Sequence, residues 1–175
     1  MLQTQGKWVS RFIWTGIVQG AIAVVATALI VDPLNLYYSP AKVIASGGAG
    51  TWLFVGYVLF LVVGVIATPV TAMIYYYIEN VQGKVYRGFS SYLAWAHLLI
   101  MTISVDVSMF LMMWGGYMAG WAAAPVNQGG GGYTALQIHE KILGQLVDPI
   151  GLFALLAAFG ALLGGIGYIA REKQR

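Results

Sequence analysis

Residues 90–118 read SSYLAWAHLLIMTISVDVSMFLMMWGGYM, without Lys, Arg, Glu or Pro and with a single acid, Asp106. A helix needs roughly 20 apolar residues to cross about 30 Å of hydrocarbon, and this stretch exceeds that. Three further apolar runs flank it, at about 12–31, 52–78 and 150–170. Of the 175 residues, 59% are hydrophobic and 9% charged, against about 25% charged in a soluble domain. The expected fold is all-α: a polytopic integral membrane protein with four transmembrane helices in a single membrane domain, 1–175. The spans leave no length for a separate soluble domain.

The positive charges fall unevenly between the runs. Lys7 and Arg11 precede the first, Lys84 and Arg87 separate the second from the third, and Arg171, Lys173 and Arg175 follow the fourth. Only Lys42 and Lys141 lie in the other two loops. Short loops rich in Lys and Arg stay in the cytoplasm, so both termini and residues 79–89 are expected there, in a multi-pass protein of the cell membrane. The same placement accounts for the net charge of +3 without invoking nucleic acid. Ala26–Thr27–Ala28 has the small-x-small form of a signal-peptide cleavage site. The apolar run that contains it, about 12–31, is long enough to span, so a retained helix is expected. With no cysteine, the chain cannot form disulfides, thiolate metal sites or Fe–S clusters by itself.

Gly16, Gly20, Ala23 and Thr27 recur at helical spacing in the first span, and Gly160, Gly164 and Gly167 in the fourth. Such small-residue faces let membrane helices approach closely. They are read here as helix-packing sites, turned toward a partner's core. Gln19 sits in mid-span and needs a hydrogen-bond partner where there is no water. Trp8 and Trp14, with Tyr75, Tyr76 and Tyr77, are expected at the membrane interface. Asp32–Pro33 should stop the first helix. Pro69 in the second span removes a backbone donor and predicts a kink, with Thr68 and Thr71 near the freed carbonyl.

Short interfacial helices are expected in the two outer loops. One follows Ser39–Pro40, with Tyr37 and Tyr38 at headgroup level, and ends at Gly47–Gly48. The other opens on the capping-box spacing Thr134–Gln137 and runs to about Val147. Asp148–Pro149 would then cap a separate fourth span. Gly129–Gly132 reads as a flexible loop.

Asp106 and His97 are the candidate functional residues. A carboxylate inside the bilayer costs a few kcal/mol unless protonated, paired or hydrated, which marks Asp106 as a proton-route or partner-contact position. The packing alternative is a protonated or hydrogen-bonded acid. His97 would ligate a metal, bind a quinone oxygen or hydrogen-bond a neighbouring helix. Nine residues at about 100° each place the two on opposite faces. His97 shares its face with Ser90, Ser104 and Ser108; Asp106 shares its face with Trp95, Thr102, Met109 and Met113. Polar groups on both faces call for protein on most sides, hence other membrane subunits. The five methionines of residues 90–118 are ordinary flexible packing rather than a copper site. Phosphate-loop, dinucleotide, metalloprotease and serine-hydrolase motifs are absent.

AWAHLLIMTISVDVSMFLMMWGGYMAGWAAAPVNQ, followed by VDPIGLFALLAAFGALLGGIGYI, resembles the last two helices of heme-copper oxidase catalytic subunits. The likeness covers about 80 residues, within 90–170, and lies in its texture: a helix ending in a Trp- and Gly-rich turn, an outer loop, then a small-residue-rich helix. The family's metal-binding histidines lie on other helices, so His97 does not carry over as a ligand. The resemblance implies a non-catalytic small subunit of a respiratory, energy-converting complex such as a terminal oxidase. No cofactor is expected on this chain alone; heme, copper or quinone would sit in partner subunits. A stand-alone quinone-reactive enzyme and a small proton-coupled transporter are the rival expectations.

Overall fold

The computed structural model describes residues 6–32, 34, 38–45, 47–170 and 172–173. Helix α1 spans Lys7–Val31, short α2 Pro40–Ala45, α3 Gly48–Val81, α4 Phe89–Ala123 and α5 Ala135–Ala170. All but α2 are long and apolar enough to cross a membrane. The chain is a multi-pass membrane protein whose helices contact lipid. Each spanning helix is longer than its apolar run. At 1.5 Å per residue α4 is about 52 Å long, so its ends project beyond the hydrocarbon or the helix tilts. Hydropathy marks only the lipid-facing middle, while backbone hydrogen bonding carries the helix further. Expectations resting on Pro33, Tyr37, Arg171 and Arg175 lie outside the described residues.

The start of α1 shows how one helix completes another. Its first amides have no side-chain cap at Gly6. Instead, Glu79 at the end of α3 accepts from the Trp8 and Val9 backbone N–H groups at 3.2 and 3.4 Å. A carboxylate at that position stabilises a helix by about 1 kcal/mol. A Cβ on Gly6 would strike the Glu79 side chain, so glycine is what admits the cap.

Along α3 the helix widens into a π segment, Phe60–Ile66, one turn before Pro69. Pro69 itself lies in the α-helical stretch that follows, Ala67–Tyr76, and has no N–H to donate. Gly64 O accepts the Thr68 hydroxyl at 2.6 Å, and Thr71 bonds Ala67 O at 2.9 Å. The irregularity therefore extends over seven residues ahead of the proline, where a single-point kink was expected.

The α5 region corrects the expected break between an interfacial helix and a fourth span. The capping box forms as read, with Gln137 N donating to Thr134 Oγ1 at 3.3 Å and Thr134 N to Gln137 Oε1 at 2.9 Å. From there the helix runs without interruption to Ala170, with a π turn at His139–Leu143 and Pro149 inside it. A helix already nucleated at Thr134 needs no second cap, and membrane helices tolerate proline.

Packing follows chain order: α1 lies along α3, α3 along α4, and α4 along α5 in the largest interface, while the backbones of α1 and α4 stay apart and the two helices meet through side chains. Glycines set these distances. A Cβ on Gly160 would lie 2.6 Å from Met101 N, one on Gly164 would enter the His97 ring, and one on Gly167 would lie 3.3 Å from Leu93 Cβ. A Cβ on Gly116 would strike the Leu53 backbone, and one on Gly16 would lie 3.3 Å from Pro69 Cδ. The glycine face expected to meet a partner is thus occupied by α4 of the same chain. Gly20 differs, with nothing within 4 Å of its Cβ position.

At one end of the molecule Lys84–Val85 pairs antiparallel with Glu172–Lys173, tying the α3–α4 loop to the end of α5. An aromatic core lies beneath. Trp8, expected at the interface, is 2% exposed and packs edge-on against Trp95 at 5.3 Å, while Trp14 is 65% exposed. The Arg11 guanidinium sits 4.3 Å from the Trp8 ring and 4.4 Å from Trp95, a cation–π pairing that keeps a charge at an aromatic surface. At the other end the Gly129–Gly132 run is a folded loop. Gly131 N, Gly132 N and Tyr133 N bond the carbonyls of Trp121, Ala124 and Ala122 at 3.1, 2.9 and 2.7 Å. A Cβ on Gly130 would enter Ala124. Gly130 and Gly131 serve close backbone approach, while Gly129 and Gly132 take left-handed φ values of 84° and 65°.

Candidate functional site

Three membrane helices bring their midpoints together. Gln19 is the central residue of Lys7–Val31, Asp106 the central residue of Phe89–Ala123, and Gly64 lies at the middle of Gly48–Val81. The Gln19 amide reaches from α1 toward α4 and donates through Nε2 to both Asp106 oxygens, at 2.9 and 2.8 Å. Its other end, Oε1, lies 3.6 Å from the Cβ position of Gly64, against the π segment of α3. Helices α1 and α4 do not pack directly at this level, so the pair bridges an opening backed by α3.

The chemistry of this node is unbalanced. Gln19 is 2% exposed, and Oε1 has no hydrogen-bond partner among the described residues. A buried orphan acceptor costs about 1–3 kcal/mol. Turning the amide over would let a protonated Asp106 donate to Oε1, at the expense of leaving Nε2 without an acceptor. Asp106 is only partly covered. One turn outward begins an apolar groove of about 440 Å³ between α1 and α4, lined by residues including Ile22, Ala26, Phe110 and Met113. Asp106 itself is not among the residues that line this groove; it lies one helical turn from the lining residue Phe110, at the middle of an apolar helix. A group so placed can hold a proton, or receive a donor from outside the chain.

His97 is brought to a different neighbourhood, as the opposite-face spacing requires. Its Nδ1 lies 3.2 Å from the Tyr75 hydroxyl. The Phe12 ring is 5.3 Å away, and Gly164 of α5 closes on the imidazole. His97 and Asp106 do not share a site. Comparison with protein-family models, curated proteins and solved structures finds no match. No relative therefore assigns a role to either residue, and the side-chain geometry carries the inference. Among the described residues no three His, Asp or Glu side chains are grouped to hold a metal ion.

The sequence did not reveal the Gln19–Asp106 pairing or the place of Tyr75 beside His97. Gln19 was marked as needing a partner, and Asp106 as an intramembrane acid, but nothing in the order of residues pairs positions 87 apart. Tyr75 reads as one of three interfacial tyrosines, yet it is 2% exposed. The signal that separates it from Tyr76 and Tyr77 is its place four residues before Glu79, on the face that meets α1. Further polar contacts cross the other helix pairs. Thr27 already donates to Ala23 O at 2.7 Å, so the Tyr57 hydroxyl donates to Thr27 at 2.7 Å. Ser108 donates to Ile150 O at 3.2 Å.

Proposed function

We propose that the chain is a non-catalytic membrane subunit of a larger energy-converting complex, of the terminal-oxidase kind, with both termini on the cytoplasmic side of the cell membrane. One observation carries the subunit assignment: the incompletely buried Asp106 at mid-helix, whose only hydrogen-bond donor among the described residues is Gln19 and which lies one turn from an apolar groove. Lipid hydrocarbon offers no donor to a carboxyl, and intramembrane acids face protein or a water-filled path. A donor from a neighbouring subunit completes the node, and Asp106 then serves partner contact or a proton route at the junction.

Supporting features point the same way. Long apolar stripes remain uncovered, Leu152, Leu155, Phe159, Leu162 and Ile166 on α5 and Leu99, Ile103, Phe110 and Trp114 on α4. They give lipid and partner helices a wide contact surface. The Lys and Arg distribution sets the orientation. The energy-converting class rests on the resemblance of residues 90–170 to the last helices of heme-copper oxidase subunits, which places heme, copper or quinone in the partners. A proton-coupled transporter is the second reading. It is favoured by the π segment facing Gln19, since π turns recur at functional positions.

Blue-native electrophoresis of gently solubilised membranes separates the two. The subunit assignment predicts migration with larger, different polypeptides, and Asp106→Asn should lower assembly or turnover of that complex. Migration as a monomer or small homo-oligomer would refute it and favour the transporter.

A further inference from the structure

The second cavity lies at the glycine-loop end, remote from the Gln19–Asp106 node, and has a volume of about 790 Å³. Short α2, the glycine loop and the first turns of α5 form its walls. Lys42 and His139 both line it, with Gln128, Tyr38, Tyr133 and Trp52, and no Asp or Glu is among its lining residues. Lys42 and Lys141 are the only Lys or Arg residues between the spans at this end. Lys42 lines the cavity, and Lys141 sits 5.3 Å from the ring of the lining residue Tyr133. Lysine, histidine, tyrosine and the glutamine amide all donate hydrogen bonds.

The walls are set before any ligand arrives. The Tyr38 carbonyl accepts from the Tyr117 hydroxyl at 2.9 Å, and a Cβ on Gly129 would lie 4.0 Å from the Tyr38 ring. Trp121 Nε1 donates to Gly129 O at 3.0 Å, so the loop is held from both sides. Lys42 follows directly on the Ser39–Pro40 start of α2, where its own amide bonds Ser39 Oγ at 3.5 Å. The cavity stands where the apolar helices end, beside Trp and Tyr side chains of the kind that mark the headgroup level.

We propose that this cavity binds a phosphate-bearing anion, and that the phosphate of an anionic phospholipid is its source. Donors without competing acids favour an oxyanion, and charge-assisted hydrogen bonds to phosphate are the stronger class. The position at the membrane surface favours a lipid headgroup over a dissolved ion. This inference is independent of the subunit assignment.

Purified full-length protein in nanodiscs of mixed phosphatidylglycerol and phosphatidylcholine tests it, with bound lipid counted by mass spectrometry after delipidation. A parallel arm titrates inorganic phosphate onto delipidated protein and follows thermal stability. The native chain should retain phosphatidylglycerol selectively, and the Lys42→Gln/His139→Gln double variant should lose about tenfold in retention, as expected for about 1.4 kcal/mol. Both side chains are exposed, so the variant should keep its unliganded melting temperature, and Lys141→Gln alone should have a smaller effect. Phosphate stabilisation that the variant loses, without lipid selectivity, would sustain the anion site and overturn its lipid source. Equal retention and equal phosphate response in both proteins would overturn the site itself.

Discussion

Gly160→Ala will separate α5 from α4 and destabilise the protein by about 1–3 kcal/mol, the cost of overpacking a closely fitted contact. The added methyl would lie 2.6 Å from Met101 N and 3.0 Å from its Cα, and backbone atoms cannot rotate away. Gly164→Ala should behave alike, because its methyl would enter an imidazole already held by Tyr75. Gly151→Ala, Gly165→Ala and Gly20→Ala are the controls. Nothing lies within 4 Å of any of these Cβ positions, and alanine is the better helix former by up to about 1 kcal/mol. Thermal unfolding in mild detergent, followed by tryptophan fluorescence, should rank the five in two groups. Equal effects of Gly160→Ala and Gly151→Ala would show that α5 does not pack on α4 by this face.

The second large effect is expected at the mid-membrane pair. Gln19→Leu leaves the Asp106 carboxyl without its donor in hydrocarbon and should cost about 1–3 kcal/mol. Asp106→Leu leaves the Gln19 amide similarly stranded. The double variant Gln19→Leu/Asp106→Leu should be less destabilised than the two single costs added together, because each loss already includes the other's orphaned group. Polar pairs between membrane helices couple by about 0.6 kcal/mol on average and up to about 1.7, and a carboxyl at mid-span should fall in the upper part of that range. Strict additivity in the same unfolding assay would mean that the two groups do not bond each other.

The four spans were legible because hydrocarbon thickness imposes a length that any apolar run reveals. The capping box at Thr134 and the start at Ser39–Pro40 were legible for a similar reason, since they depend on residues a few positions apart. Depth was partly legible too: Gln19 and Asp106 each stand out as polar in an apolar run. Their pairing was not, because it depends on how α1 and α4 are placed against the π segment of α3. The burial of Trp8 was not legible, because interfacial tryptophans and buried ones look alike beside a charged residue; it packs against Tyr75, Tyr86 and Trp95 of other helices and loops. The glycine run was legible as a loop, and Gly129 and Gly132 use the backbone freedom that composition reports; the close approach of Gly130 and Gly131 to Ala124 and Ala122 was not, because it depends on how the loop folds back. Asp148–Pro149 looked like a helix start, but the helix capped at Thr134, fourteen residues before Asp148, runs on through it.

The central claim is that another subunit covers the open side of Asp106, and a photoreactive side chain placed at Phe110 tests it in intact membranes. Phe110 lines the groove one turn from the carboxyl and is 37% exposed. Illumination should yield a discrete adduct with a different membrane polypeptide, diminished when Asp106 is replaced by Leu. Adducts with lipid alone, or only with a second copy of this chain, would contradict the account.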